Sequence, residues 1–129
     1  MSRIKGLITP AEAKKLNDAY TERCQLISKT ITNKPDNRSS WFSLSDLRDF
    51  LDTAETEAKD LGYEMDGVRI YCGAYPTTKA GVGYSTSFIV PTSNVGFGEC
   101  GDGESHDIPE ASGLNKGNLG IPPRANYPQ

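Results

Sequence analysis

Apolar positions recur at steps of three or four residues over two long stretches of the chain and at steps of two over two shorter ones. This predicts a pair of helices followed by a β-hairpin. The first helix opens at Thr9, where Thr9-Pro10-Ala11-Glu12 supplies an N-cap hydroxyl, proline at the first helical position and a glutamate placed to return the capping bond. Ala13, Leu16, Tyr20, Cys24, Ile27 and Ile31 then form one stripe, predicting a helix over residues 9–31 with this side in the core and Lys14, Lys15, Asp18 and Glu22 in water. Thr32 to Ser40 is polar and rich in turn formers, a connection that suits an antiparallel pair of helices.

The second helix is predicted over residues 43–61. Ser43 caps it, Phe42 is placed to staple onto Leu47, Asp46 lies beside the positive end of the dipole, and Gly62 ends it. Its stripe is Leu44, Leu47, Leu51, Ala54, Ala58 and Leu61, widened by Phe50. Residues 68–90 read as the hairpin. Val68, Ile70, Cys72 and Ala74 alternate with Arg69, Tyr71, Gly73 and Tyr75, and Tyr84 to Val90 alternates likewise after a loop containing Pro76, Lys79, Gly81 and Gly83. In the simplest packing Val68, Ile70 and Cys72 meet Leu47, Leu51 and Ala54. Two strands alone are marginal, so a further strand is expected from Arg3 to Ile8 or, preferably, from the chain after Pro91.

Composition changes this picture only in its last third. Hydrophobic residues are 36% and charged residues 24% of the 129, and the apolar deficit falls after residue 91, so the core must come from the first ninety residues. Residues 91–129 have no helical or strand period and read as an irregular strap rich in glycine and proline, with Ile121, Pro122, Pro123 and Tyr127 available to cover the hairpin face bearing Arg69 and Tyr71. The expected fold is a single α+β domain: two N-terminal helices on a small antiparallel hairpin-based sheet, completed by that strap. Without a long apolar run the chain reads as cytoplasmic, with no membrane contact.

The net charge of −3 is unevenly placed. Residues 1–38 carry eight basic and four acidic side chains, residues 39–67 carry two and eight, and the remainder four and five. A basic helix lying beside an acidic one within the fold accounts for this without a dedicated binding surface. The lack of a basic excess disfavours nucleic acid as a partner.

Candidate chemistry gathers near the strap's start. Gly96-Phe97-Gly98-Glu99-Cys100-Gly101 fits a dinucleotide fingerprint by letter only, because no helix follows to receive a pyrophosphate, and no cofactor is expected. Cys100 with His106, the only histidine, is the one pair available to a thiol enzyme or small hydrolase, since a thiol nucleophile needs an imidazole to take its proton. Asp102, Glu104 and His106 at alternate positions are the candidate metal ligands, although their spacing matches neither a calcium loop nor a zinc pair. Cys24, Cys72 and Cys100 lack a C-x-x-C arrangement and read as reduced thiols. Arg69, Tyr71, Tyr75 and Tyr84 are the residue types that anchor binding surfaces.

Gly67-Val68-Arg69-Ile70-Tyr71-Cys72-Gly73-Ala74-Tyr75, the later Phe88-Ile89-Val90-Pro91-Thr92, and Leu114-Asn115-Lys116-Gly117 with Pro122-Pro123 look like a family of small uncharacterised proteins from Bacteroidetes bacteria, over about residues 42 to 123. Some relatives in that family carry cysteines around the double proline. Ile121 and Arg124 stand there in this chain, so no role for those cysteines carries over. The resemblance implies a fold and no established activity. The features that stand out are structural, and a non-enzymatic interaction module that associates with itself or with a protein partner is the expectation.

Overall fold

A computed structural model describes residues 4–96, 103–115 and 118–119, and among these the chain forms two helices and seven strands. Helix α1 spans Pro10–Thr30. Its capping box is formed as the sequence predicts, Thr9 Oγ1 accepting from the Glu12 amide and Glu12 Oε1 from the Thr9 amide, both at 3.1 Å. The helix stops where Asn33 takes a left-handed conformation, φ 58°. Helix α2 spans Leu44–Asp60, capped by Ser43 Oγ on the Asp46 amide at 2.9 Å and ended by Gly62 at φ 92°. Caps of this kind are worth about 1 kcal/mol each.

The strands are β1 (Ser40–Trp41), β2 (Tyr63–Glu64), β3 (Gly67–Ala74), β4 (Ser85–Ser93), β5 (Val95–Gly96), β6 (His106–Asp107) and β7 (Asn118–Leu119). β3 and β4 make the expected antiparallel hairpin, in register from Gly67↔Thr92 to Ala74↔Ser85. The third strand comes from beyond Pro91: β6 pairs with β4, so the sheet order is β3-β4-β6. Short ladders β1-β7 and β2-β5 lie outside that sheet. Among the described residues no helix is long and apolar enough to cross a membrane.

β4 runs three residues past the predicted end, straight through Pro91. A proline in a central strand ordinarily removes a ladder bond. Here residues 89, 91 and 93 turn their backbone groups away from β3. The Ile89 amide and carbonyl exchange bonds with Leu114 at 2.9 and 2.8 Å, and the Pro91 carbonyl accepts from the Ile108 amide at 3.1 Å. The strap arches outward between Ile108 and Leu114, closed by a turn from the Ala111 amide to the Ile108 carbonyl, so the amide that Pro91 lacks would have faced that arch.

The core is small and displaced from its predicted place. Ala54, Ala58, Ile89 and Ile108 are buried, and Pro91 is one of the largest fully buried side chains. Alanines four apart let α2 lie close over β4. However, Val68 and Ile70, expected beneath the helix, are 41% and 67% exposed, and Cys72 is exposed too. Leu44, Leu51 and Leu61 also stand in solvent. The Glu57 carboxylate accepts from both the amide and the hydroxyl of Ser112 on the strap. Helix α2 thus lies toward the strap and over β4, with β3 and the Leu44–Leu51 flank uncovered.

Helix α1 keeps most of its predicted stripe inward, with Ala13, Tyr20 and Ile27 half-buried. Cys24 is buried as predicted, but Leu16 and Ile31 are 65% and 53% exposed. The side that faces inward carries Asn17, Thr21 and Ser28, because residues 32–38 hold it with polar bonds. Arg38 donates to the Asn17 carbonyl at 2.8 Å, to Asn17 Oδ1 at 2.9 Å and to Thr21 Oγ1 at 3.2 Å, and its guanidinium lies 5.6 Å from the Tyr20 ring. Burial pushes the Tyr20 phenol up, and the neighbouring Cys24 and Asp36 act in the same direction. Hydrogen bonds from this loop thus locate α1.

Candidate functional site

Side chains alternate across the sheet, and the face opposite α2 holds a polar cluster built from all three strands. Tyr71 and Phe88 are cross-strand partners and stack with ring centroids 5.1 Å apart and planes 13° from parallel. Asp107 pairs with Thr92 on the other side of β4, which brings its carboxylate over this face. There it accepts from the Arg69 guanidinium on one oxygen and from the Tyr71 hydroxyl on the other. Arg69 also donates to the Ser105 carbonyl at 3.0 Å. One step along, Asp66 accepts from Thr92 Oγ1 at 2.6 Å and from the Ser105 hydroxyl.

The electrostatics follow from these bonds. The Tyr71 hydroxyl first, and Arg69 after it, hold the Asp107 carboxyl below the ordinary carboxylate range. Ser105 and then Thr92 do the same for Asp66. Donating to Asp107 raises the Tyr71 phenol, and the same carboxylate raises Arg69. A carboxylate depressed in this way stabilises the fold fully above about pH 5, and that contribution is lost as pH falls through the lowered folded value, below roughly pH 4. A raised phenol works in the opposite sense: its contribution is complete below the ordinary phenol pKa of about 10 and is lost as pH rises through the raised value. The urea midpoint should therefore be flat between these limits and fall outside them. Asp107→Asn is expected to flatten the acid limb and Tyr71→Phe the alkaline one. An acid limb unchanged in Asp107→Asn would mean that the clamp adds nothing to stability.

The sequence-predicted binding residues are thus partly brought together and largely engaged within the chain. Arg69 and Tyr71 share Asp107. The Tyr75 hydroxyl donates to Asn115 Oδ1 at 3.2 Å, while Asn115 Nδ2 donates to the Ser87 carbonyl at 2.8 Å and to Thr86 Oγ1 at 3.1 Å. Tyr84 stands apart, with the Lys34 ammonium 4.7 Å from its ring centroid. The strap does pass over this face, but through Ser105, Asp107 and Asn115. Ile121, Pro122, Pro123 and Tyr127, the expected cover, lie outside the described residues.

Cys100 and Asp102 lie outside the described residues as well, so neither the thiol–imidazole pair nor the full set of candidate ligands is placed. His106 is exposed at its register position opposite Ser93, and Glu104 is exposed in the preceding turn. Among the described residues no three His, Cys, Asp or Glu side chains converge to hold a metal ion.

Sequence reasoning missed Asp36. It is fully buried, accepts from the Ser85 amide at 2.8 Å and from the Ser85 hydroxyl, and its own amide donates to Ser28 Oγ at 2.9 Å. Asn37 Nδ2 adds a bond to the Ser85 carbonyl at 3.3 Å. In a stretch reading Asn33-Lys34-Pro35-Asp36-Asn37 nothing distinguishes a buried acid from a solvated turn residue. No family model, curated protein or solved structure matches this chain.

Proposed function

We propose that the chain is a non-enzymatic protein-interaction module that associates with itself. The observation that carries this is the outer side of α1. A helix of 21 residues has Cys24 as its buried residue, while Leu16 and Leu26, on the side away from residues 32–38, are 65% and 61% exposed. Ala19 lies between them, giving a short exposed apolar stripe on the described surface. Burying one exposed leucine contributes up to about 1.5–3 kcal/mol, so the leucines of two copies supply part of what association needs. The uncovered Val68 and Ile70 on β3, an edge strand among the described residues, add apolar surface that a partner would also shield.

Sedimentation equilibrium is the direct test. A mass that rises toward the dimer between about 1 and 100 µM is expected, the usual range for a modest interface. A constant monomer mass across that range would overturn the proposal.

A further inference from the structure

We infer that the outer edge of β3 pairs antiparallel with the same edge of a second copy, so that two three-stranded sheets join across a two-fold axis. This rests on the self-association proposed above and names the surface through which it forms.

The edge is open in backbone and side chain alike. The Tyr75 amide donates to the Tyr84 carbonyl, and Ile89, opposite Ile70, gives its own groups to Leu114, so alternation along the ladder turns the odd-numbered residues of β3 toward β4. The amides and carbonyls of Val68, Ile70, Cys72 and Ala74 therefore point outward, and none of them has a partner among the described residues. Their side chains are exposed as well, Ile70 at 67%. Edge strands are ordinarily guarded by a proline, a lysine, a bulge or sheer shortness. β3 has eight residues, contains neither proline nor lysine, and keeps an unbroken register with β4. Its one charge, Arg69, is held by Asp107. At the other side of the sheet β6 is only two residues long.

A second copy is the occupant because this strand complements itself. Outward residues must pair with outward residues, and the register centred on Tyr71 pairs all four, Val68 with Ala74 and Ile70 with Cys72 of the second copy, through about eight backbone bonds. Each larger side chain thereby meets a smaller one. On the opposite face Arg69 meets Gly73, so no like charges are opposed, and the two Tyr71 rings become cross-strand neighbours that extend the Tyr71–Phe88 stack across the axis. Helix α2 leaves room for this because it lies over β4. The β4 strands of the two copies would stand three strand spacings apart, about 14 Å, against a helix diameter of about 10–12 Å. Val68 and Ile70 then fill the cleft between the two helices. A paired length of about 27 Å puts the interface near the small end of the specific range, as weak association requires. The contact uses the same edge of both copies, so a single pairing closes the dimer.

Residue-resolved amide exchange reads the contact directly. In the dimer the amides of Val68, Ile70, Cys72 and Ala74 should exchange at least about tenfold more slowly than in the monomer, while Arg69, Tyr71 and Gly73, already bonded to β4, change less. Ile70→Lys places a charge in the joint at an exposed position, and Cys72→Pro removes one outward amide without touching the ladder to β4. Each should weaken the dimer at least about tenfold. Retained protection of the Tyr71 amide shows that a variant still forms its own sheet. A wild-type dimer with no added protection at the four amides, or dimerisation unchanged in Ile70→Lys, would overturn the edge pairing and leave self-association standing through another surface such as the α1 leucines. A chain that stays monomeric would overturn both proposals, and protection of the four amides in that monomer would assign the edge to one of its own segments.

Discussion

Replacing Asp36 by alanine is expected to cost about 2–4 kcal/mol, a large share of the 5–15 kcal/mol that holds a typical domain together. The carboxylate is fully buried and satisfies both the amide and the hydroxyl of Ser85, at the first rung of β4. Alanine removes both acceptors, so the amide and the hydroxyl of half-buried Ser85 lose their partner at once. The backbone bond from the Asp36 amide to Ser28 Oγ survives the change, as does the bond from Ser28 Oγ to the Cys24 carbonyl at 2.8 Å. The loss therefore reports on the carboxylate alone. Asp36→Asn, which keeps one acceptor, should lose roughly half as much. On melting, Asp36→Ala should fall by about 10 °C, given the usual entropy of unfolding for a domain of this size. Helix α1 is joined to the hairpin through this loop, so amide exchange across residues 24–30 should speed up more than exchange in α2. A melting temperature within a degree or two of wild type would show that the loop is not what holds α1 in place.

The same residue marks the limit of what the chain discloses. Both helices were legible because their signals are local: Thr9 with Glu12, Ser43 with Asp46, and Gly62 each act within one turn, and each bond is present. The hairpin was legible because alternation is a property of the strand itself; cross-strand partners such as Tyr71 and Phe88 share a face. Which apolar stripe is buried is a different kind of question, since it is settled by contacts between distant segments. Leu16 lost its place to Asn17 and Thr21 through Arg38, and Leu51 lost its place to Ala54 through the hold of Glu57 on Ser112. In both cases a polar contact some 17 to 55 residues away in sequence stands on the inner side where a leucine was expected, on a helix whose period is as predicted. The polar cluster follows the same rule. Arg69 and Tyr71 stood out by residue type, whereas their partner Asp107 was one acid among several until the pairing of β6 with β4 brought it over their face.

Gly83→Ala is the second change expected to be severe, and its cause is space rather than backbone conformation. A Cβ at Gly83 would sit 2.0 Å from the Tyr75 carbonyl oxygen and 2.5 Å from its carbon, closer than any atoms pack, and both are main-chain atoms that no rotamer change can move. The chain is tight here because the Tyr75 amide donates to the Tyr84 carbonyl at 3.0 Å, one residue beyond the Ala74↔Ser85 rung. Alanine must push these strands apart, with an expected cost of about 2–4 kcal/mol. Gly81→Ala is the informative comparison. Gly81 has φ 128° and nothing within 4 Å of an added Cβ, so it should lose only the strain of the conformation, about 1 kcal/mol. Thermal melts of the two variants should rank in that order, and a Gly83→Ala protein as stable as Gly81→Ala would show that the loop relaxes without cost. Opening this end of the hairpin also moves Ser85 away from Asp36. The two severe changes then act on one contact, so Gly83→Ala combined with Asp36→Ala should cost at least about 1 kcal/mol less than the sum of the separate losses. Simple additivity would instead mean that the hairpin end and the buried carboxylate hold the fold independently.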